Sequence, residues 1–408
     1  MSVEVPARRV VAARSAVATL FLLNAVAYAN VVPRLPAIKA ELGLSNTALG
    51  TAVAAMPVGA LLSGSVAGRV VERLGSGRLA AACGVGFGLV LPGFAVASSW
   101  FGLAATFLLL GASDALMDVA MNAHALRVQR GYGRSIINGL HGMWSVGAVV
   151  GGLAGTAAAA AGVGLGTHLV VAGAAIVASA MAVRRWLLPG DDEAARQAAG
   201  SDGLDPAPGT HQRSRGVGRR LLLLGIIVVM SAVIEDAPQS WGAVLLRTEL
   251  GASAGVAGLV YLAFQGSMTL SRFLGDRVVD RYGDVAVVRA GGLLSAAGTG
   301  AGLLIGEPAS VIVGFGLAGL GTAALFPLVF HGAGNLPGLA TGHGVAAVAW
   351  MGRVGFLVAP PLVGVVSDAV SVRAGLAVVP AAGVVIALFA GALRSDGPAT
   401  SRRSAGTG

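Results

Sequence analysis

The sequence predicts an all-α membrane protein of twelve transmembrane helices arranged as two six-helix pseudo-symmetric halves. Three observations predict it. Hydrophobic residues make up 55% of the 408 and charged residues only 12%, with a mean hydropathy of +0.79, a composition that soluble globular domains do not have. Twelve apolar stretches reach the length of about 20 residues that a helix needs to cross a hydrocarbon core about 30 Å thick. Finally, one loop pattern recurs at a displacement of 208 residues, about half the chain. The same composition excludes intrinsic disorder, which requires a chain poor in apolar residues, and the single cysteine, Cys83, excludes a disulfide scaffold.

Taken in order, the first six spans fall at residues 11–33, 47–70, 79–98, 100–125, 138–161 and 165–188. The second six fall at 221–245, 255–275, 285–305, 309–332, 342–366 and 372–394. Residues 1–188 therefore form an N-terminal half and residues 221–394 a C-terminal half. Between them lies the longest polar stretch, 189–220, which carries Asp191-Asp192-Glu193, Pro206, Pro208 and several arginines and reads as a cytoplasmic linker. Residues 395–408 read as a disordered cytoplasmic tail. Basic residues ahead of the first span and the small residues Ala27 and Ala29 at its end imitate a secretory signal. Cleavage there would leave eleven spans and unpair the halves, so the segment is read as a retained helix.

Cations set the orientation, because Lys and Arg resist translocation and collect in cytoplasmic loops. With the N-terminus inside, 23 of the 28 basic residues fall on the inner side and four outside: Arg34, Lys39, Arg247 and Arg373. Only Arg353 falls in the middle of a span, away from either end. Both termini and the linker are thus expected in the cytoplasm and the protein in the cell membrane. The net charge of +9 follows from this loop bias and is not gathered on a polar domain, so no nucleic-acid partner is expected.

The repeat is specific. Residues 69–75 read Arg-Val-Val-Glu-Arg-Leu-Gly and residues 277–283 read Arg-Val-Val-Asp-Arg-Tyr-Gly. Gly111 and Gly319, and Gly147 and Gly355, stand at the same displacement. A period this long signals duplicated halves, as in transporters built from parallel repeats with the solute site between them.

These loops resemble the signature of the major facilitator superfamily, Gly-x-x-x-Asp-Arg/Lys-x-Gly-x-x-Arg/Lys. The first copy supplies Gly68, Glu72, Arg73, Gly75 and Arg78, with Glu in place of Asp; the second supplies Asp280, Arg281 and Gly283, with Asp276 in the first glycine position. The resemblance implies the major facilitator fold and a gating role for Gly68, Glu72, Arg73, Arg78, Asp280 and Arg281. Other segments resemble the sugar-permease-like branch related to fucose permeases: Arg34-Leu35-Pro36-Ala37-Ile38-Lys39, Asp118-Val119-Ala120-Met121-Asn122, Glu235 followed by Trp241, and Gly355 through Pro361. This branch implies proton coupling through Asp118, which precedes Asn122 by four residues, and a cavity-facing Glu235.

Carboxylates within a span must face the bundle interior, find a partner or hold a proton. Asp114, Asp118 and Asn122 recur every four residues and so share one face of the fourth helix. Glu235 and the adjacent Asp236 lie in the seventh span ahead of Pro238, Gln239 and Trp241, where the proline interrupts backbone hydrogen bonding. Asp118, Glu235 and Asp236 are the proton-coupling candidates. Arg353 departs from the aromatic residue usual in the related sequences and, being permanently charged, needs an anion: Asp118, Glu235, Asp236 or the solute. Candidate solute contacts are Asn24, Tyr28, Asn122, His141, Trp144, Gln239, Trp241, Gln265 and Arg353, with Asn30, Asn138, His331 and Trp350 as weaker ones.

Neither a phosphate-binding Gly-Lys-Ser/Thr loop nor metal-ligand spacing occurs, so no cofactor, metal or catalytic chemistry is expected. The functional expectation is a monomeric, proton-coupled secondary transporter of a sugar-like or other small polar solute. A proton-antiport exporter of drugs or metabolites and a non-transporting membrane sensor are the alternatives.

Overall fold

A computed structural model describes residues 7–189, 215–336, 339 and 341–394. Most of the expected linker and the expected tail lie outside these residues. Among the described residues there is no β-strand, and twelve helices are long and apolar enough to cross a membrane. They are α1 (Arg8–Glu41), α2 (Asn46–Leu74), α3 (Ser76–Val96), α4 (Trp100–Tyr132), α5 (Ile137–Ala160) and α6 (Leu165–Arg184), followed by α7 (Gly216–Thr248), α8 (Ala254–Gly275), α9 (Asp284–Ile305), α10 (Pro308–Gly334), α11 (Gly342–Ala369) and α12 (Val372–Leu393). An even number of crossings puts the start of α1 and the end of α12 on one face, called here the terminal face.

Helix ends follow local chemistry. Ser45, Ser99, Ser253 and Ser371 each accept a hydrogen bond from the backbone amide three residues on, capping α2, α4, α8 and α12. Gly75 ends α2 at φ 81°, and Gly283 ends the continuation of α8 at φ 78°, a conformation only glycine adopts without strain. These two glycines are the repeat partners identified in the sequence. Ser45 and Ser253, and the positive-φ Gly43 and Gly251, are further pairs at the same displacement.

Packing repeats the duplication. α1 packs on α5 as α7 does on α11, α2 on α4 as α8 on α10, and α3 on α6 as α9 on α12. Small residues permit these approaches: a methyl added at Gly111 would lie 1.9 Å from the Met56 carbonyl oxygen, and one at Gly319 would lie 2.2 Å from that of Phe264. Met56 and Phe264 are themselves 208 residues apart.

The halves meet along two seams, α2 with α11 and α5 with α8, and the tight contacts cluster at the face opposite the termini. Asp368 accepts hydrogen bonds from the backbone amides of Asn46 and Thr47, each at 2.8 Å. Gly50 abuts the Pro360 carbonyl, Gly258 abuts Thr156 and Gly255 abuts Ala160. Toward the terminal face, by contrast, Asp118, His141, Arg272 and Arg353 are exposed. These four side chains come from both halves, so the space between the halves is closed opposite the termini and open toward them.

Candidate functional site

In the N-terminal half the polar stripe on α4 is ordered by α1 and α5. The buried Asn24 donates from Nδ2 to Asp114 Oδ1 at 2.8 Å and accepts from Trp144 Nε1 at 2.8 Å. One side-chain amide therefore satisfies a carboxylate and an indole on two other helices, which fixes its orientation. One turn farther along α4, Asp118 is exposed and accepts a hydrogen bond from Asn122 Nδ2 at 2.9 Å. The same amide nitrogen donates to the Asp118 carbonyl at 2.9 Å. His141 on α5 and Arg353 on α11 both act electrostatically on Asp118. Phe21 holds the His141 ring edge-on, with the centroids 5.2 Å apart.

In the C-terminal half Pro238 opens a π-helical turn, Pro238–Gly242, the type of local irregularity that frequently marks functional sites. Gln239 Nε2 donates to the Glu235 carbonyl at 2.9 Å. Asp236 is buried and accepts from Ser240 Oγ at 3.1 Å, while its second carboxylate oxygen has no partner among the described residues. Tyr28, reaching across from α1, lies beside both Asp236 and Ser240. Glu235 is half-buried and interacts electrostatically with Arg272 of α8, whose Nη1 lies 3.5 Å from Ser145 Oγ of α5.

Trp241 and Gln265 are buried with Trp241 Nε1 and Gln265 Nε2 unpartnered, so neither faces the open space in this conformation. With the free oxygen of Asp236 they make three buried, unpartnered side-chain polar atoms among the described residues of the C-terminal half, and none of that kind belongs to the Asn24 cluster opposite.

Arg353 forms no ion pair at salt-bridge distance with any described residue; it is exposed and acts on Asp118 only at longer range, because the open terminal side keeps α11 away from α4. Asn30 belongs to a separate contact, its Oδ1 accepting from His168 Nε2 at 3.0 Å. His331 sits 3.7 Å from Asp284 at the terminal face, and Trp350 is exposed.

The candidate gating residues lie at the terminal ends of α2 and α8. Gly68, Glu72, Arg73, Arg78 and Arg281 are exposed there, with the Arg281 guanidinium 5.6 Å from the Tyr282 ring centroid. Asp280 lines a cavity of about 220 Å³ with Arg272, Val279 and Pro327. Asp114 and Arg272 were not singled out as site residues by sequence. Asp114 carried the right signal, its i, i+4 relation to Asp118. Arg272 read as an inner-side cation because it stands three residues from the end of the expected span, whereas the helix runs on past Gly275 to Tyr282. Among the described residues no cluster of His, Cys, Asp and Glu has metal-binding geometry.

Comparison with known proteins places this architecture. The family model described as Major Facilitator Superfamily matches residues 17–234 and 221–408. An MFS-type transporter of Yersinia pestis is 28% identical over 352 residues, covering 85% of this chain and 87% of the relative. Among solved structures, a variant of the nucleoside transporter NupG superposes with a TM-score of 0.75 at 14% identity, covering 94% of this chain and 100% of the other. The D-xylose-proton symporter gives 0.70 at 16%, covering 95% and 97%. A variant of the E. coli fucose:proton symporter gives 0.58 at 17%, covering 94% and 98%. At those identities the structural likeness establishes the fold.

Proposed function

Since this chain belongs to the major facilitator superfamily of transporters, we propose that it is a proton-coupled secondary transporter that moves a small, hydroxyl-rich polar solute by alternating access. The observation that carries this reading is the placement of Asp118, an intramembrane carboxylate exposed to the space between the halves and acted on by Arg353 from the other half. Ionised, Asp118 attracts Arg353 and draws α4 and α11 together. Protonated, it releases that attraction. Proton occupancy thus biases how the halves meet, which is the differential interaction that a coupled transporter requires.

Glu235 and Asp236 are the second acidic pair, set against Arg272 and Ser240 respectively. Asn24, Tyr28, Asn122, His141, Trp144 and Gln239 line the solute path, and Trp241 and Gln265 enter it when the halves rock. The solute class is supported by proton symport of xylose and fucose in two proteins of the same fold. The distribution of Arg residues supports a cytoplasmic terminal face, which makes this conformation inward-open, and the gating residues of α2 and α8 then act on the cytoplasmic side. Transport proceeds in a monomer without catalytic chemistry.

Flux into proteoliposomes under an imposed pH gradient tests the proposal. Gradient-dependent uptake of a sugar or nucleoside supports it, while gradient-independent behaviour across sugars, nucleosides and organic acids contradicts proton coupling. Proton antiport would use the same carboxylates in export, and it is recognised by gradient-driven efflux.

A further inference from the structure

A cavity lies at the face opposite the termini, away from Asp118. It has a volume of about 360 Å³, within the range of small-molecule sites, and is lined by Arg34 and Pro36 of α1, by Ala159 and Val163 near the end of α5, and by Arg247 and Thr248 of α7. The two arginines come from opposite halves.

Arg34 is only 6% exposed. Its Nη2 donates to the Val163 carbonyl at 2.8 Å, but Nε and Nη1 have no hydrogen-bond partner among the described residues. A buried guanidinium cannot shed its charge, and unpaired buried donors are costly. The charges around it do not cancel it. Glu41, exposed at the end of α1, attracts it, while Arg247 lines the same cavity and the His168 imidazole lies within its electrostatic reach. Arg247 donates from Nη1 to the Ala252 carbonyl at 2.8 Å and is otherwise exposed. Two guanidiniums from opposite halves, and no carboxylate among its lining residues, make this cavity electropositive and suit it to a phosphate or similar oxyanion.

We infer that the cavity between Arg34 and Arg247 is an oxyanion-binding site, taking a phosphate group either free in solution or carried by an anionic lipid. Because its two arginines belong to different halves, occupancy ties the halves together on the closed face. Only this last consequence rests on alternating access. Binding itself does not.

The test uses the full-length protein. In detergent at fixed ionic strength, thermal unfolding is followed as inorganic phosphate replaces chloride, and in parallel the protein is compared in nanodiscs of phosphatidylcholine alone and with phosphatidylglycerol. A rise in Tm with free phosphate assigns the site to a soluble oxyanion; a rise only with phosphatidylglycerol assigns it to lipid. Arg247→Gln should weaken the response at least tenfold, and Arg34→Lys, which replaces the planar guanidinium with a compact ammonium, should weaken it as well. Arg247 is exposed, so its variant folds even if changes at Arg34 do not. No response in either medium overturns the site, as does a response that both variants leave unchanged. Failure of proton-driven transport would leave these binding results standing.

Discussion

Asp368 at the end of α11 closes over the start of α2, accepting the backbone amide of Asn46 at 2.8 Å through one carboxylate oxygen while its other oxygen takes that of Thr47. One C-terminal-half side chain thereby caps an N-terminal-half helix, using the free amides that every helix start presents. Asp368→Ala is expected to shift the population toward states open opposite the termini by roughly three- to tenfold, the scale of exposed charge-assisted contacts. The check is the labelling rate of a cysteine introduced at Thr47, measured with and without the substitution.

Asn24 joins three helices with one amide, so its replacement unpairs two groups at once. Asn24→Leu leaves Asp114 and the Trp144 indole without their partners, at a cost of about 2 to 4 kcal/mol. Reduced thermal stability together with weakened solute binding is expected. Asn24→Asp, which sets a carboxylate against Asp114, should be worse than Asn24→Leu, and the order of the two melting temperatures decides the matter.

Helix contact through glycine gives a sharper structural prediction. Gly111→Ala and Gly319→Ala each drive a methyl against a backbone carbonyl of the neighbouring helix, and each should lose at least about 1 to 3 kcal/mol. Gly218→Ala, with nothing within 4 Å of the added methyl, should be neutral or slightly stabilising. Equal damage at the two repeat-related positions, read from detergent melting curves, would reflect the duplicated packing.

The fold was legible in the sequence because hydrophobic length, loop charge and duplication are properties of the chain itself. Twelve apolar runs map onto twelve helices, and Gly75 and Gly283 end theirs in the same backbone conformation. The site was legible only in part. Residues such as Asp114 and Asp118 announce themselves, since an acid in an apolar run needs an explanation, but their partners come from other helices. That Asn24 serves Asp114 and Trp144 depends on how α1, α4 and α5 pack. The absence of an Arg353 ion pair depends on which face is open. Arg34 shows the same limit: it read as one of four outer cations, and only the packing of α1 against the α5–α6 loop reveals its buried, half-satisfied guanidinium.

Coupling between the halves through charge predicts non-additivity. In a double-substitution cycle on transport rate, Asp118→Asn and Arg353→Gln should each be harmful, and the pair should cost less than the sum by about 0.5 to 1 kcal/mol. Simple additivity would mean that the two groups do not communicate.

The most direct measurement places Asp118→Asn protein in proteoliposomes loaded with a pH-sensitive dye, using a solute that the wild-type protein accumulates. Wild-type protein should acidify the lumen as solute enters. The variant should give no solute-dependent pH change and no accumulation, yet still exchange labelled for unlabelled solute across the membrane. Proton movement and accumulation at wild-type levels in the variant would contradict the account.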